Sequence, residues 1–374
     1  MAWLWEADNW TNFRFDTSLY SSELAAQEDL RQAIITRMSV FGREDRASLG
    51  LEGRCGEVLS TSEIEGESLG HEAVRSSLAR RMGVDIGALL PADARVEGMV
   101  ELVLDATGSY DRPLDNERLF AWHRLLFPYG RSGIHRIESG SWRSDSEGPM
   151  RVISGPMGRE TEHFRAPPAE RLPREMALFL DWFEGPSTGP QGEALDPVLK
   201  SAIAHLRFVT IHPFEDGNGR IARAIADRQL ARAEDSSERW YSMAAAIRRD
   251  RKRYYDLLES TQRGSGDIGD WLSWYLACRR NALNTANGRL EHSARVFRLR
   301  ARASRLALNR RQRHLLDLLT GDFVGKLTSS KWALLGKCSQ DSASRDINSL
   351  VAAGLLKKSE AGGRSTSYEL VWDD

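Results

Sequence analysis

The chain has 374 residues, enough for two or three domains with substantial buried cores and too many for one small fold. Its 52 basic and 53 acidic residues leave a formal charge of −1, so any nucleic-acid or anionic-membrane partner would have to be met by a local patch. Three widely spaced cysteines, Cys55, Cys278 and Cys338, give neither a disulfide framework nor a zinc pattern, and suit a reducing, cytoplasmic setting.

Turn signals and periodicity divide the chain into three zones. Residues 1–95 open on Trp3, Trp5 and Trp10 mixed with Glu6, Asp8 and Asp16, which breaks the apolar run of a signal peptide and leaves core packing as the expected use of the tryptophans. Leu24, Leu30, Ile34 and Met38 then recur at helical spacing. Residues 96–290 read as mostly helical. They are interrupted at Ser139 to Pro168, where Met150, Arg151, Val152 and Ile153 between turn residues predict a hairpin or extended flap. A loop from Gly185 to Gly192 separates two helical segments. No stretch reaches the roughly 20 apolar residues of a membrane-spanning helix, so no membrane contact is expected.

The segment from His212 through Pro213-Phe214-Glu215-Asp216-Gly217-Asn218-Gly219-Arg220 to Arg223 carries the chemistry. Asp196-Pro197 is a helix start, and Leu199, Ile203, Leu206 and Thr210 trace one face of a helix running to His212. Pro213, Gly217 and Gly219 force a loop, and Ile221, Ala224 and Ile225 begin the next helix. A glycine-rich loop opening a helix gathers unpaired N–H groups and the positive end of the helix dipole, which is a site for anions such as triphosphate. Asn218 adds an amide, and Arg220 and Arg223 sit three apart on one helical face, able to neutralise phosphates. Asp216 beside such a site is unfavourable unless a cation stands between, and Mg²⁺ is suited to one carboxylate plus phosphate oxygens. His212, neutral over most of the physiological range, can take the proton of an incoming hydroxyl.

Eight specified residues in His-Pro-Phe-x-Asp-Gly-Asn-Gly-Arg would recur by chance about once in 10¹⁰ positions, and they resemble the signature of the Fic family, second arginine included. The resemblance implies a mainly α, all-helical Fic core with a small β-hairpin flap. It further implies an adenylyltransferase that takes ATP as substrate with Mg²⁺ and acts on a Ser, Thr or Tyr hydroxyl of a protein target, its own included. In that family the histidine is the base, the acidic residue holds Mg²⁺, and loop and arginines hold the phosphates. Those roles fall to His212, Asp216, Gly217, Asn218, Gly219, Arg220 and Arg223. Gly140 to Arg143 through Met150 to Gly155 resembles the family's flap, which aligns a target segment by strand addition. Met243 to Leu258, with Tyr254-Tyr255, resembles the region that walls the adenine pocket.

Thr61-Ser62-Glu63-Ile64-Glu65-Gly66 resembles the inhibitory motif of the same family, which implies that Glu65 pairs with Arg223 in place of the γ-phosphate. Thr61 and Gly66 complete that motif. In some relatives the same glutamate positions a water that removes AMP, so restraint and de-AMPylation both stay open for Glu65. The aromatic strip at the N-terminus is similar to the short domain that precedes the core in many bacterial Fic proteins. Other members of the fold transfer UMP, phosphocholine or phosphate, and the loop chemistry suits any diphosphate-containing donor.

The last zone, residues 295–374, has 15 Lys and Arg against 8 Asp and Glu, a net +7. Its pattern is three helices, Arg311 to Leu319, Ser329 to Leu335 and Asp341 to Ala353, then two extended runs around Gly362-Gly363. That order resembles a winged helix-turn-helix. Its candidate recognition helix carries Arg345 and Asn348 but also Asp341 and Asp346, with Lys357, Lys358 and Arg364 in the wing. DNA contact, protein contact and homodimer formation all stay open, and a nucleotide-sensing DNA-binding regulator is the competing reading for the whole chain.

Overall fold

The computed structural model describes residues 2–146, 148–156, 159–321, 323–359 and 366–372. Helices dominate, and strands occur only as three two-stranded antiparallel sheets among the described residues. The chain groups into two units, residues up to Ala286 and residues from Asn287 onward.

In chain order the first unit contains α1 (Ser21–Met38), α2 (Arg43–Ile64), α3 (His71–Met82), α4 (Ala94–Gly108) and α5 (Asn116–Leu126). Two strand pairs follow, β1 (Arg131–Ser132) with β2 (His135–Arg136), then β3 (Arg151–Ser154) with β4 (Thr161–Arg165). The rest is α6 (Leu172–Glu184), α7 (Pro197–Ile211), α8 (Asn218–Ala233), α9 (Met243–Arg249), α10 (Arg251–Gln262) and the start of α11 (Gly269–Ser304). None of the described helices is long and apolar enough to cross a membrane.

The pair α7 and α8 forms the centre. Asp196 accepts from the Val198 N–H at 2.7 Å and Pro197 fills the first turn, so α7 starts where its caps say it should. Every residue of α7 from Leu199 to Ile211 is buried, because α8 covers one side and α6 another. α8 begins at Asn218, three residues before the apolar pattern does, so the Gly-Asn-Gly stretch supplies the helix's own first turn.

α2 lies across α8 and α9. A Cβ on Gly53 would stand 2.7 Å from the Arg239 carbonyl oxygen and 2.8 Å from the Trp240 carbonyl carbon, so only glycine permits this approach. One turn on, the buried Glu57 carboxylate accepts from Ser242 Oγ at 2.7 Å and from the Ala244 N–H at 3.0 Å. Burial beside Asp227 pushes Glu57 up to about 7.

The buried face of α1 is Gln27, Arg31, Ile34 and Met38, while Leu24 and Leu30 are only half-buried. Gln27 donates to the Leu276 carbonyl at 2.9 Å and accepts from Arg279 at 2.9 Å, so a polar residue holds the place that apolar spacing assigned to leucine. Trp3, Trp5 and Trp10 are buried. Trp3 packs edge-on against Phe164 of β4, and Trp5 Nε1 donates to the Arg165 carbonyl at 2.6 Å. The opening strip therefore braces the base of the flap.

The second unit contains α12 (Arg310–Thr320), α13 (Ser329–Leu335), α14 (Gln340–Ala352) and the pair β5 (Leu356–Lys358) and β6 (Tyr368–Leu370). Leu315, Trp332, Ile347, Leu350 and Leu355 form its core. Asp346 turns inward and accepts from Arg311 Nε at 2.8 Å and Asn309 Nδ2 at 3.0 Å, whereas Arg345 and Asn348 are exposed. Gly362, Gly363 and Arg364 lie outside the described residues.

Candidate active site

α7 stops at His212, which takes a left-handed backbone with φ 52° and ψ 58°. A non-glycine residue there needs external support. Arg143, its side chain buried, provides it: Nε donates to the His212 carbonyl at 2.8 Å, and the Arg143 N–H donates to the Pro213 carbonyl at 2.9 Å. The other end of the guanidinium is fixed by Asp145 at 2.9 Å and the Pro167 carbonyl at 2.5 Å. His212 Nδ1 lies 3.1 Å from the Val209 carbonyl oxygen. A carbonyl can only accept, so Nδ1 carries the proton and Nε2 keeps its lone pair. Burial pushes the imidazole down to about 4, which keeps it neutral.

The loop is held from two sides. His123 stacks on Phe214, with centroids 4.2 Å apart and planes 8° from parallel. Its Nδ1 accepts from the Gly140 N–H at 2.9 Å while Nε2 donates to the Asp216 carbonyl at 3.2 Å. Gly217 has φ 81°, and a Cβ there would meet the Phe127 ring at 2.9 Å. For Asn218 the structure corrects the expectation of a side-chain amide aimed at phosphate. Its Oδ1 accepts from the Phe214 N–H at 2.9 Å and its Nδ2 donates to the Phe214 carbonyl at 2.7 Å, so the side chain closes the loop. What Asn218 offers an anion is its backbone N–H, together with those of Gly219 and Arg220 in the first turn of α8.

The Asp216 carboxylate stays at the surface of this turn. Oδ1 accepts from the Gly217 N–H at 2.5 Å and lies 3.6 Å from Arg220 Nη2, and Oδ2 accepts from the Ser132 hydroxyl. Among the described residues no group of three or more His, Cys, Asp or Glu side chains is placed to hold a metal. Asp216 therefore fits a cation that takes one protein carboxylate and completes its shell with phosphate oxygens and water, the habit of Mg²⁺.

The end of α2 reaches the same place. Gly66 takes φ 82°, its N–H donates to the Glu63 carbonyl at 3.1 Å, and the Glu67 N–H donates to the Ser62 carbonyl at 3.0 Å, the double bond of a Schellman cap. Tyr255 donates to the Ile64 carbonyl at 3.1 Å and fixes the last turn to α10. Glu65 Oε1 accepts from Arg223 Nη2 at 2.7 Å, and Thr61 accepts from the same guanidinium through Oγ1 at 2.7 Å and its carbonyl at 3.0 Å. A Cβ on Gly219 would lie 2.4 Å from Glu65 Oε1, so the carboxylate rests directly on the start of α8. Arg220 is turned to Glu67, both of whose oxygens lie 3.0 Å from Nη1, and its guanidinium covers the Phe127 ring at 5.0 Å.

A cavity of about 590 Å³ joins these parts. His212, Asp216, Asn218, Gly219 and Glu65 line it, with Met150, Arg151, Val152 and Ile153 of the flap on one side and Tyr254, Tyr255 and Leu258 of α10 on another. Thr61, Gly66, Gly217, Arg220 and Arg223 are not among its lining residues; the two guanidinium groups are occupied by Thr61, Glu65 and Glu67. β3 is exposed along its length, and its register against β4 shifts between Val152 and Ile153. The flap is tied to α10 by Ser154 Oγ and His163 Nε2 at 2.6 Å and by His163 Nδ1 and Glu259 Oε2 at 2.7 Å. His123, Ser132, Arg143 as the support of His212, Glu67 and the His163–Glu259 pair carry no local motif; each becomes visible only when distant segments meet.

Comparison with known proteins gives this helical architecture its class. The Fic/DOC family model matches residues 113–230, and a model described as a domain of unknown function, DUF4172, matches residues 3–84. A Fic family protein from Desulfovibrio desulfuricans G20 shares the fold, with TM-score 0.54 at 20% identity over 96% of this chain and 98% of that one. A Fic domain containing signaling protein from Bacteroides thetaiotaomicron gives TM-score 0.51 at 21% identity over 71% of this chain and 96% of its own. Residues 113–230 thus match the Fic/DOC domain, and the fold around them is shared with solved Fic proteins. The chain is similar to the protein adenylyltransferase Fic of Culex quinquefasciatus, 27% identical over 222 residues, and of Aedes aegypti, 28% identical over 225 residues. Each match covers 59% of this chain and 39% of the relative, so the chain spans about two-fifths of the length of the curated relatives it matches.

Proposed function

We propose that the chain transfers AMP from ATP to a Ser, Thr or Tyr hydroxyl of a protein, with release of pyrophosphate, and that Glu65 restrains the reaction. One observation carries the reading: an imidazole with a free Nε2 lone pair, a surface carboxylate and the opening turn of α8 border one cavity beside an exposed strand. The names of the curated relatives support the same chemistry.

The target segment adds to the exposed edge of β3, which presents its hydroxyl to the cavity. His212 Nε2 takes the hydroxyl proton, and the oxygen forms a bond to the α-phosphorus as the bond to the bridging oxygen of pyrophosphate breaks. The N–H groups of Asn218 and Gly219, with Arg220 and Arg223, hold the phosphates. Asp216 would hold Mg²⁺, which when bound neutralises phosphate charge. Tyr254, Tyr255 and Leu258 offer an apolar wall to the base. Glu65 occupies Arg223 and must leave before a triphosphate is fully seated. Self-modification follows the same route when the hydroxyl belongs to this chain. Because Glu65 lines the cavity together with His212, a water held between them makes removal of AMP the second reading.

With ATP and Mg²⁺, Glu65→Gly is expected to raise AMP transfer, and His212→Ala on that background to lower it by about 10²- to 10⁴-fold. Undiminished transfer without the imidazole would defeat the mechanism.

A further inference from the structure

We infer that Glu67 is a second functional carboxylate of this site, which competes with the nucleotide's phosphates for Arg220 as Glu65 does for Arg223. The inference rests on the reading of the cavity as an ATP site.

The two contacts are built alike and differ in who can move. Arg220 is 3% exposed and lies over the Phe127 ring, with Nη2 drawn toward Asp216 at 3.6 Å. It is therefore fixed in place at the opening turn of α8. Glu67 is 45% exposed and reaches in from the end of α2 with both oxygens 3.0 Å from Arg220 Nη1. A half-exposed carboxylate that lets go returns to water at little cost, whereas a buried guanidinium left unpaired is expensive. The exchange that avoids this loss is carboxylate out and phosphate in. The buried Arg220 Nε, which has no hydrogen-bond partner among the described residues, is a further donor on the same group.

The backbone couples the two glutamates. Glu65 and Glu67 flank Gly66, whose left-handed turn and Schellman bonds splay the two side chains toward arginines three residues apart on α8. Neutral substitution of Glu65 alone leaves Arg220 occupied, so it releases only part of the restraint. A triphosphate seated on both arginines has to displace both carboxylates, and a monophosphate does not.

Calorimetry of ATP, ADP and AMP binding with Mg²⁺ to Glu65→Gly and to Glu65→Gly/Glu67→Gln tests this, with Glu67→Ala as a second replacement. Removing the competing charge should tighten ATP and ADP by about tenfold and leave AMP unchanged. Equal or weaker ATP affinity in the double variants would overturn the inference and leave the ATP site standing, and so would a fall in thermal stability with no gain in affinity. If no nucleotide binds Glu65→Gly, the reading of the cavity falls and the inference falls with it.

Discussion

His212 shows how much a single backbone conformation carries. Its left-handed turn aims the imidazole at the cavity, the Val209 carbonyl sets which nitrogen is bare, and burial keeps the ring neutral down to about 4. The acid limb of kcat/KM for AMP transfer should accordingly lie nearer 4 than the 6.5 of a free imidazole. A limb at 6.5 or above would mean that another group titrates. Stability follows the same sign. His123 is also pushed down to about 4 by burial, so the unfolded chain binds more protons than the folded one between about pH 6.5 and 4. The stability that these neutral rings contribute is complete above 6.5 and is lost as pH falls, which urea midpoints at pH 7 and 4.5 would register. The residues from His212 to Arg223 were legible because they are consecutive in the chain. Arg143 and His123 were not, since they meet the loop from about 70 and 90 residues away.

At the scale of elements, the proposed restraint by Glu65 requires α2 to give way, and α2 is docked closely. Gly53 admits the backbone at Arg239 and Trp240, and Glu57 pins the next turn to Ser242 and Ala244. Gly53→Val forces that approach apart; it should lower thermal stability by about 1–3 kcal/mol and raise AMP transfer as Glu65 loses its register on Arg223. Lower stability with transfer unchanged would show that the contact of Glu65 does not depend on how α2 is docked. A helix with a strong cap was readable in advance, as α7 shows with Asp196-Pro197. The misreadings have identifiable causes. α8 starts early because Gly217 is its N-cap and Asn218 its first residue, and α1 buries Gln27 because a long-range hydrogen bond outweighs apolar spacing.

Across the whole molecule, every residue that lines the cavity falls between Glu65 and Gln262, inside the first unit. Deleting residues 305–374 should therefore leave AMP transfer by the Glu65→Gly protein within about twofold, measured on one target peptide; a larger loss would give the second unit a part in the reaction itself. The inward turn of Asp346 explains an acidic residue in α14 that sequence alone counted against nucleic-acid contact. The most direct measurement uses ATP labelled at either the α- or the γ-phosphate, given with Mg²⁺ to Glu65→Gly and to Glu65→Gly/His212→Ala. Protein-bound label should come from the α position only, and only while His212 is present. Label arriving from the γ position, or arriving equally without the imidazole, would contradict the assignment.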